Sequence, residues 1–231
     1  MKRIHLFCFP YAGGSSMMYF RWRNQLSEFI ELHPIELAGR GRRMNEPYHH
    51  SIDEAVEDAY LSIPVHLIRE PIAFFGYSMG SLIAYELAHY IKEKHGNELT
   101  HLFVGARRAP HLNGHVKQIS ALPDQTFLAE MIKLGGMSDE VLQNQELLDV
   151  FLPLIRGDMR IVENYEWKPR DLLQTDITVL AGDQDVIAID QLEAWGDMTS
   201  GACQLSVYEG DHFFINKHYE VIAEQIKRVL L

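Results

Sequence analysis

The chain has 231 residues, of which 47% are hydrophobic and 23% are charged, and its formal net charge at pH 7 is −11. A length below about 250 residues predicts a single domain over residues 1–231, and this composition excludes a disordered chain. The negative charge excludes a general nucleic-acid binder, because such proteins need a basic surface to neutralise phosphates.

The amino end begins with two basic residues and a short apolar run. This run reaches Pro10 and Gly13 too soon for a signal-peptide core or a membrane span, so we expect no membrane association and a cytoplasmic location. Cys8 and Cys203 are the only cysteines, and both lie in apolar, strand-like stretches. We expect free, buried thiols there and no disulfide.

Short apolar runs recur along the chain, separated mostly by segments long enough for a helix. This alternation predicts an α/β fold with a mostly parallel central sheet flanked by helices. The predicted strands cover residues 4–9, 30–37, 72–75, 102–105, 177–181 and 204–208.

The sequence GYSMG at 76–80 follows the third predicted strand. Apolar residues at helical spacing come after it, and Gly96 is a plausible C-terminal cap of that helix. A G-x-S-x-G sequence between a strand and a helix is typical of the nucleophile elbow of the α/β-hydrolase fold, where the tight turn needs small flanking residues. We therefore predict Ser78 as a nucleophile, with a simple helix cap as the alternative.

The interval between the fourth and fifth predicted strands is about 70 residues, whereas an ordinary crossover needs only a dozen or more. Its apolar residues at helical spacing predict several short helices, which we interpret as a helical lid over about residues 107–170. The alternative is that these helices only thicken the fold. The residues in question are Phe127, Met131, Ile132, Leu134, Val141, Leu142, Leu147, Leu148, Phe151 and Leu152.

A serine nucleophile needs an imidazole to remove its proton and a carboxylate to orient that imidazole. Asp183 and Asp185 follow the fifth predicted strand, and His212 follows the sixth. Parallel strands end at the same edge of a sheet, so these residues can converge on Ser78. We predict His212 as general base and Asp185 as the orienting acid. Asp183 remains the alternative, although it can bond its own turn.

The transition state also needs donors for its oxyanion. The loop PYAGG at 10–14, after the first predicted strand, carries little side-chain bulk near its centre. We assign the backbone N–H of Met79 and that of Tyr11 or Ala12, with a plain turn before a helix as the alternative role of the loop. The loop has no lysine, which disfavours a P-loop nucleotide site. No two histidines in the sequence have a convincing metal spacing, so we expect no metal and no cofactor.

With these residues in hand, the chain resembles the type II thioesterases, the free-standing editing enzymes associated with nonribosomal peptide and polyketide synthases. The resemblance covers essentially the full length. Ala38 departs from it, because the family has proline in this loop, and the departure concerns loop rigidity rather than catalysis. The matching stretches are FCFPYAGG at 7–14, ELAGRGRR at 36–43, GYSMG at 76–80, RAPHL at 108–112, LGGM at 134–137, FLPLIRGDMRIVENY at 151–165 and GDHFF at 210–214.

The resemblance implies a substrate and a partner: acyl or aminoacyl thioesters on the phosphopantetheine arm of acyl or peptidyl carrier proteins. It also places control of the acyl pocket in the lid, where Met131, Met137 and Met159 would form an adaptable wall, with core filling as the alternative role of each. A monomer suits this role. The positive patches expected to dock an acidic carrier protein are Arg40, Arg42 and Arg43, or Arg107 and Arg108.

From the residues alone, without the resemblance, we predict only ester or thioester hydrolysis. Two alternatives therefore stay open. One is a small-molecule carboxylesterase or lipase. The other is a ligand-binding protein that retains an α/β-hydrolase shell without turnover.

Overall fold

The fold is built on one parallel sheet, seen in a computed structural model that describes residues 2–115, 117–136 and 142–231. The sheet has six strands in the order β2-β1-β3-β4-β5-β6, and each neighbouring pair is parallel. The predicted α/β sheet is confirmed. Its strands are β1 (Ile4–Phe9), β2 (Ile30–Pro34), β3 (Ile72–Tyr77), β4 (His101–Gly105), β5 (Ile177–Gly182) and β6 (Cys203–Tyr208).

Strand burial follows position in the sheet. The four inner strands, β1, β3, β4 and β5, are buried at every residue, as expected for strands covered on both faces. The edge strands β2 and β6 are only partly buried. Strand β2 ends at Pro34, before the predicted end at residue 37, and the Ile35 N–H makes a last hydrogen bond of 2.9 Å to the carbonyl of Cys8 in β1.

Helices cover both faces of the sheet. Helix α2 begins directly after β3 and ends at Gly96, which has a left-handed φ of 67° and confirms the predicted cap. Helices α1 and α2 pack on one face, and α6 packs on the other together with the 3₁₀ helix Ser16–Asn24. The α-helices are α1 (Ile52–Leu61), α2 (Met79–His95), α3 (Asp124–Lys133), α4 (Gln145–Glu163), α5 (Ile189–Glu193) and α6 (Ile215–Leu230).

The segment between β4 and β5, residues 106–176, is called the insertion below. Helix α4 within it is one helix of 19 residues with Pro153 inside, so the prediction of only short helices is wrong for this part. Phe127 and Met131 are buried, but Ile132 is 47% exposed and does not share their stripe. Val141 and Met137 lie outside the described residues.

The two halves of α4 differ in burial. Its buried residues, from Leu154 to Glu163, all lie in the carboxyl-terminal half, and Ile161 and Val162 belong to the main core. The amino-terminal half is only partly covered. The insertion is therefore anchored to the sheet at one end of α4, and this end lies closest to the loop after β1.

Two sequence expectations bear on the chain's surroundings. None of the helices in the described ranges is long and apolar enough to cross a membrane. Cys8 and Cys203 are free, but only Cys8 is buried as expected, because Cys203 lies on the edge strand β6 and is only partly buried. Burial raises the pKa of the Cys8 thiol well above its ordinary value. A thiol held in this way stays protonated and unreactive at neutral pH.

Candidate active site

Ser78 lies in a strained turn between β3 and α2. Its φ of 54° and ψ of −112° fall outside the regions that residues with side chains normally adopt. A Cβ at Gly76 would collide with the carbonyl of Gly80, and a Cβ at Gly80 with the carbonyl of Phe9. The turn therefore requires both glycines, and it holds Ser78 at the carboxyl edge of the sheet, as in a nucleophile elbow.

The Ser78 side chain does not cap helix α2, because it makes no hydrogen bond to the first turn. Its Oγ lies 3.0 Å from Nε2 of His212, a hydrogen-bonding distance. This contact joins residues 134 positions apart in the chain. The hydroxyl is thus placed for proton transfer to an imidazole, which a plain helix cap would not need.

His212 is held from its other side by Asp185. The distance from His212 Nδ1 to Asp185 Oδ2 is 2.9 Å, and the Asp185 side chain is only 1% exposed. Asp183 instead accepts a hydrogen bond of 2.8 Å from the Gly210 N–H, so it ties together the two loops that carry the aspartates and the histidine. Asp185, and not Asp183, is therefore the aspartate within hydrogen-bonding distance of the imidazole.

Backbone contacts fix the loop that carries His212. The hydroxyl of Tyr77, the residue before the elbow serine, donates a 2.6 Å hydrogen bond to the carbonyl of His212. The Gln184 N–H donates to the carbonyl of Gly210 at 2.9 Å. The loops after the neighbouring strands β5 and β6 reach across the end of β4 to the end of β3, where they bring all three side chains together.

The candidate oxyanion donors belong to the loop after β1 and to the start of helix α2. In the loop after β1, the Gly13 N–H donates to Asp158, and the Gly14 N–H donates to the carbonyl of Tyr11. The N–H groups of Tyr11 and Ala12 donate to no protein acceptor within the described residues. Met79 is the first residue of α2, so its N–H has no partner within the helix. These three amides border the same cavity as Ser78.

The cavity beside Ser78 has a volume of about 360 Å³. Its wall is mainly apolar and comes largely from the insertion, which contributes Met131, Leu134, Met159 and Val162. Met131 and Met159 thus border the cavity as expected, while Met137 lies outside the described residues. An apolar pocket of this size with a nucleophile at one side suits an uncharged acyl chain.

The arginines predicted to dock a partner are only partly at the surface. Arg40 is buried in an ion pair with Asp158, and Arg107 is buried, which lowers the pKa of its guanidinium to about 9. Both are wrong as docking residues. Arg42 is exposed, and Arg43 is paired with Asp58 and Glu46.

Basic side chains do occur at the opening of the cavity. Lys117 and Lys133 border it and are 67% and 70% exposed. Both bind Glu130, at 2.7 Å and 2.9 Å, and the half-buried Arg108 lies on the same rim. The rim is therefore locally positive on a molecule of net charge −11.

Sequence reasoning missed one cluster of metal-type side chains, His5, Glu31 and His33. Alternation along β2, which puts residues 31 and 33 on one face, was the signal for it. His5 Nδ1 and His33 Nε2 are 2.9 Å apart, a hydrogen bond between imidazoles, and Arg3 donates to Glu31 at 3.2 Å. These contacts account for the cluster without an ion.

The chain is similar to known proteins over almost its whole length. The model of the family described as "Thioesterase domain" matches residues 4–230. The linear gramicidin dehydrogenase LgrE of Brevibacillus parabrevis is 36% identical over 231 residues, which cover 98% of this chain and 88% of its own length.

Solved structures are similar over almost the whole chain. ClbQ from the colibactin NRPS/PKS pathway superposes with a TM-score of 0.94 at 36% identity, covering 99% of this chain and 97% of its own. The type II thioesterase BorB from the borrelidin biosynthetic cluster superposes with a TM-score of 0.90 at 32% identity, covering 99% and 93%.

Proposed function

This chain belongs to the thioesterase family and is a hydrolase acting on thioesters, and from that premise we propose that it is an editing enzyme for carrier proteins. Its substrates are acyl or aminoacyl groups held as thioesters on phosphopantetheine arms. Ser78 is the nucleophile, His212 the general base and Asp185 the orienting acid. The oxyanion binds to the N–H groups of Met79 and of Tyr11 or Ala12.

The observation that carries the proposal is the hydrogen-bonded chain from Ser78 through His212 to Asp185, with distances of 3.0 Å and 2.9 Å. It lies beside an apolar cavity and three amides that have no protein acceptor in the described ranges. Nucleophile, base, orienting acid and oxyanion donors are the parts that acyl transfer to serine requires.

The reaction has two steps. Ser78 Oγ attacks the thioester carbonyl carbon while His212 Nε2 takes the hydroxyl proton. The tetrahedral oxyanion then collapses, the C–S bond breaks, and His212 gives the proton to the departing thiolate, which leaves as the thiol. In the second step a water molecule gives its proton to His212 and attacks the acyl-enzyme, which releases the carboxylic acid and restores Ser78.

A thioester suits this site because its leaving group is weakly basic. A thiol has a pKa near 8.5, so it leaves far more easily than an alcohol and demands little from the general acid. The apolar wall of the cavity limits the volume of the acyl group more than its chemical identity. This favours an enzyme that accepts several acyl groups over one that selects a single acyl group.

The name of the relative from Brevibacillus parabrevis raises hydride transfer as a different activity. Dinucleotide-dependent dehydrogenases bind the pyrophosphate at a G-x-G-x-x-G or G-x-G-x-x-A sequence after their first strand. Here β1 is followed by PYAGGS at 10–15, which lacks this spacing. The strained serine turn after β3 has no use in hydride transfer, so the chain's own residues favour hydrolysis.

The test compares hydrolysis of an acetyl-loaded carrier protein with that of p-nitrophenyl acetate, for the wild type and for Ser78→Ala. We expect faster release from the carrier protein and a loss of more than about a hundredfold for both substrates in the variant. The fold should persist, because the substitution removes one oxygen from a partly exposed side chain.

The other outcomes select other functions. A preference for the free ester indicates a general esterase. Residual activity of Ser78→Ala above about a hundredth of wild type contradicts the role of Ser78. A wild type that turns over neither substrate, and that a fluorophosphonate probe does not label at Ser78, indicates a ligand-binding protein.

A further inference from the structure

Two matching stretches of the sequence have no part in the mechanism above, AGRGRR at 38–43 and IRGDMR at 155–160. They meet in a buried ion pair. Arg40 Nη1 lies 2.7 Å from Asp158 Oδ2, and Arg40 Nη2 lies 2.8 Å from Asp158 Oδ1. The two side chains are only 3% and 5% exposed.

The same two side chains hold the loop after β1. Asp158 Oδ2 accepts a hydrogen bond of 2.7 Å from the N–H of Gly13. Arg40 Nη1 also donates to the carbonyl of Gly14 at 3.1 Å. Gly13 has a φ of 78°, and a Cβ there would collide with Ile155 of α4. The loop is therefore pressed against α4, and on either side of the Gly13–Gly14 peptide it is bonded to one member of the ion pair, Asp158 of α4 and Arg40 of the segment after β2.

This arrangement fixes the orientation of a peptide next to the active site. The Gly13 N–H belongs to the peptide that joins Ala12 to Gly13, so its bond to Asp158 sets how that peptide is turned. The candidate oxyanion amides, those of Tyr11 and Ala12, come immediately before it. A donor must lie within about 3 Å of the developing oxyanion, and a misplacement of about 1 Å can cost about a hundredfold in rate.

A gain in folding stability is by itself a weak explanation for a buried ion pair. Removing two charges from water costs several kcal/mol per ion, and a buried ion pair is often no more stabilising than apolar residues of the same volume. Its directional hydrogen bonds, by contrast, specify one geometry. We propose that Arg40 and Asp158 are positioning residues that hold the loop after β1, residues 10–14 and called the oxyanion loop below, in its catalytic orientation against helix α4. The proposal rests on the function proposed above for Ser78 and its neighbours.

Helix α4 also forms part of the acyl pocket. Met159, which borders the cavity, is the residue after Asp158. One anchor point thus sets both the position of a pocket wall and the orientation of the oxyanion loop. Any displacement of this part of α4 would move the oxyanion amides as well, so a correctly seated insertion is a condition for turnover.

The test uses two double variants that leave no unpaired buried charge. Arg40→Met with Asp158→Leu removes the ion pair and the acceptor for Gly13. Arg40→Met with Asp158→Asn removes the ion pair but keeps an oxygen that can accept from Gly13. The control, Arg170→Met with Glu86→Leu, removes a partly buried pair, whose Glu86 accepts from Tyr165 and has no contact with the loop after β1.

The readouts are kcat and KM for p-nitrophenyl acetate, the melting temperature, and inhibition by a trifluoromethyl ketone that forms an oxyanion on Ser78. The leucine variant should lose about ten- to a hundredfold in kcat, with KM within about threefold of wild type. Its inhibition constant should weaken by the same factor as kcat/KM. The asparagine variant should lose at least about threefold less in kcat than the leucine variant, and the control should stay within about threefold of wild type.

A leucine variant with the same kcat as the control overturns the proposal, and so does an asparagine variant that loses as much as the leucine variant. If a double variant fails to fold, Arg40→Lys decides. It should lower kcat several-fold at an unchanged melting temperature, and wild-type kcat would overturn the proposal. A wild type without any Ser78-dependent hydrolysis is a different result, because it removes the proposed function itself.

Discussion

At the scale of single residues, the site combines backbone strain with a buried carboxylate. Ser78 has a φ of 54°, and a residue held in such a region costs on the order of 1–3 kcal/mol. The turn persists because β3, α2 and the two flanking glycines hold it in place. Asp185 Oδ1 is buried without a partner among the described residues, so this carboxylate depends on His212 for its main polar contact.

Two aspartates in one loop provide a matched pair of variants. Asp185→Asn should lower kcat by about 10⁴, because an amide in that position favours the wrong tautomer of His212. Asp183→Asn should stay within about tenfold of wild type, since an amide oxygen can still accept the N–H of Gly210. The measurement is kcat for p-nitrophenyl acetate at fixed pH. Equal losses in the two variants would contradict the assignment of Asp185.

At the scale of elements, the insertion decides what fits beside Ser78. Helix α3 contributes Met131 to the cavity, while its neighbour Ile132 points away from the core and is 47% exposed. A small satellite cluster around Phe127 and Met131 joins α3 to Ile155 of α4. The acyl pocket is thus formed where two helices of the insertion pack on each other above the sheet edge.

Shortening one side chain of α3 should change the preferred acyl length. Met131→Ala enlarges the pocket, so the kcat/KM ratio of p-nitrophenyl octanoate to p-nitrophenyl acetate should rise about tenfold, the order expected for one or two methylenes in an apolar pocket. Ile132→Ala on the same helix should leave the ratio within about twofold, because Ile132 is not among the residues that border the cavity. An unchanged ratio in Met131→Ala would contradict the placement of the acyl chain.

At the scale of the whole molecule, charge governs how an acidic partner approaches. The net charge of −11 repels an acidic protein, whereas Lys117, Lys133 and Arg108 make the rim of the cavity locally positive. Local complementarity of this kind mainly affects the rate of encounter and is weakened by salt. These three side chains border the same cavity as the candidate nucleophile, and Arg107, which also borders it, is buried.

Removing two rim charges should weaken the use of a carrier protein but not of a small ester. For Lys117→Gln with Lys133→Gln, KM for an acetyl-loaded carrier protein should rise about fivefold or more at low salt, and KM for p-nitrophenyl acetate should not change. The control is Lys168→Gln with Lys217→Gln, which removes two exposed charges elsewhere. A similar rise in both double variants would indicate general repulsion rather than docking at the rim.

Two buried histidines should make the fold sensitive to acid. Burial, with the charges of Arg170 and Lys92, lowers the pKa of His89 to about 3, and burial lowers the pKa of His101 to about 4. In the unfolded chain both titrate near 6.5. Between these values the unfolded state binds more protons, so the free energy of unfolding falls as pH decreases from about 6.5.

Each histidine changes the folding equilibrium by at most about tenfold per pH unit in this window. Between pH 6.5 and pH 5, the His89→Leu variant should therefore lose less stability than the wild type. The slope of its free energy of unfolding against pH should be smaller by the effect of at most one bound proton. His89 Nε2 has no hydrogen-bond partner in the described ranges, so the substitution breaks no such bond. Urea midpoints at a series of pH values measure the effect, and parallel curves for wild type and variant would contradict it.

The sequence by itself determined the sheet and the elements that carry the chemistry. The strands and helix α2 follow from local patterns: apolar runs, helical spacing and the glycines at 76, 80 and 96. The order of Ser78, Asp185 and His212 at strand ends could be predicted for the same reason, because parallel strands end at one edge. Such signals need only neighbouring residues and the connectivity of the fold.

Only the tertiary structure decided how distant side chains pair. Arg40 and Asp158 are 118 positions apart, and nothing local indicates that Arg40 is buried rather than a docking residue. The choice between Asp183 and Asp185, the bond from Gly13 to Asp158 and the approach of His5 to His33 likewise depend on how separate segments pack. A periodic pattern reports which face of an element is buried, but not which residue lies opposite. That information arises only when segments distant in the sequence pack against each other, as α4 of the insertion does against the loop after β1.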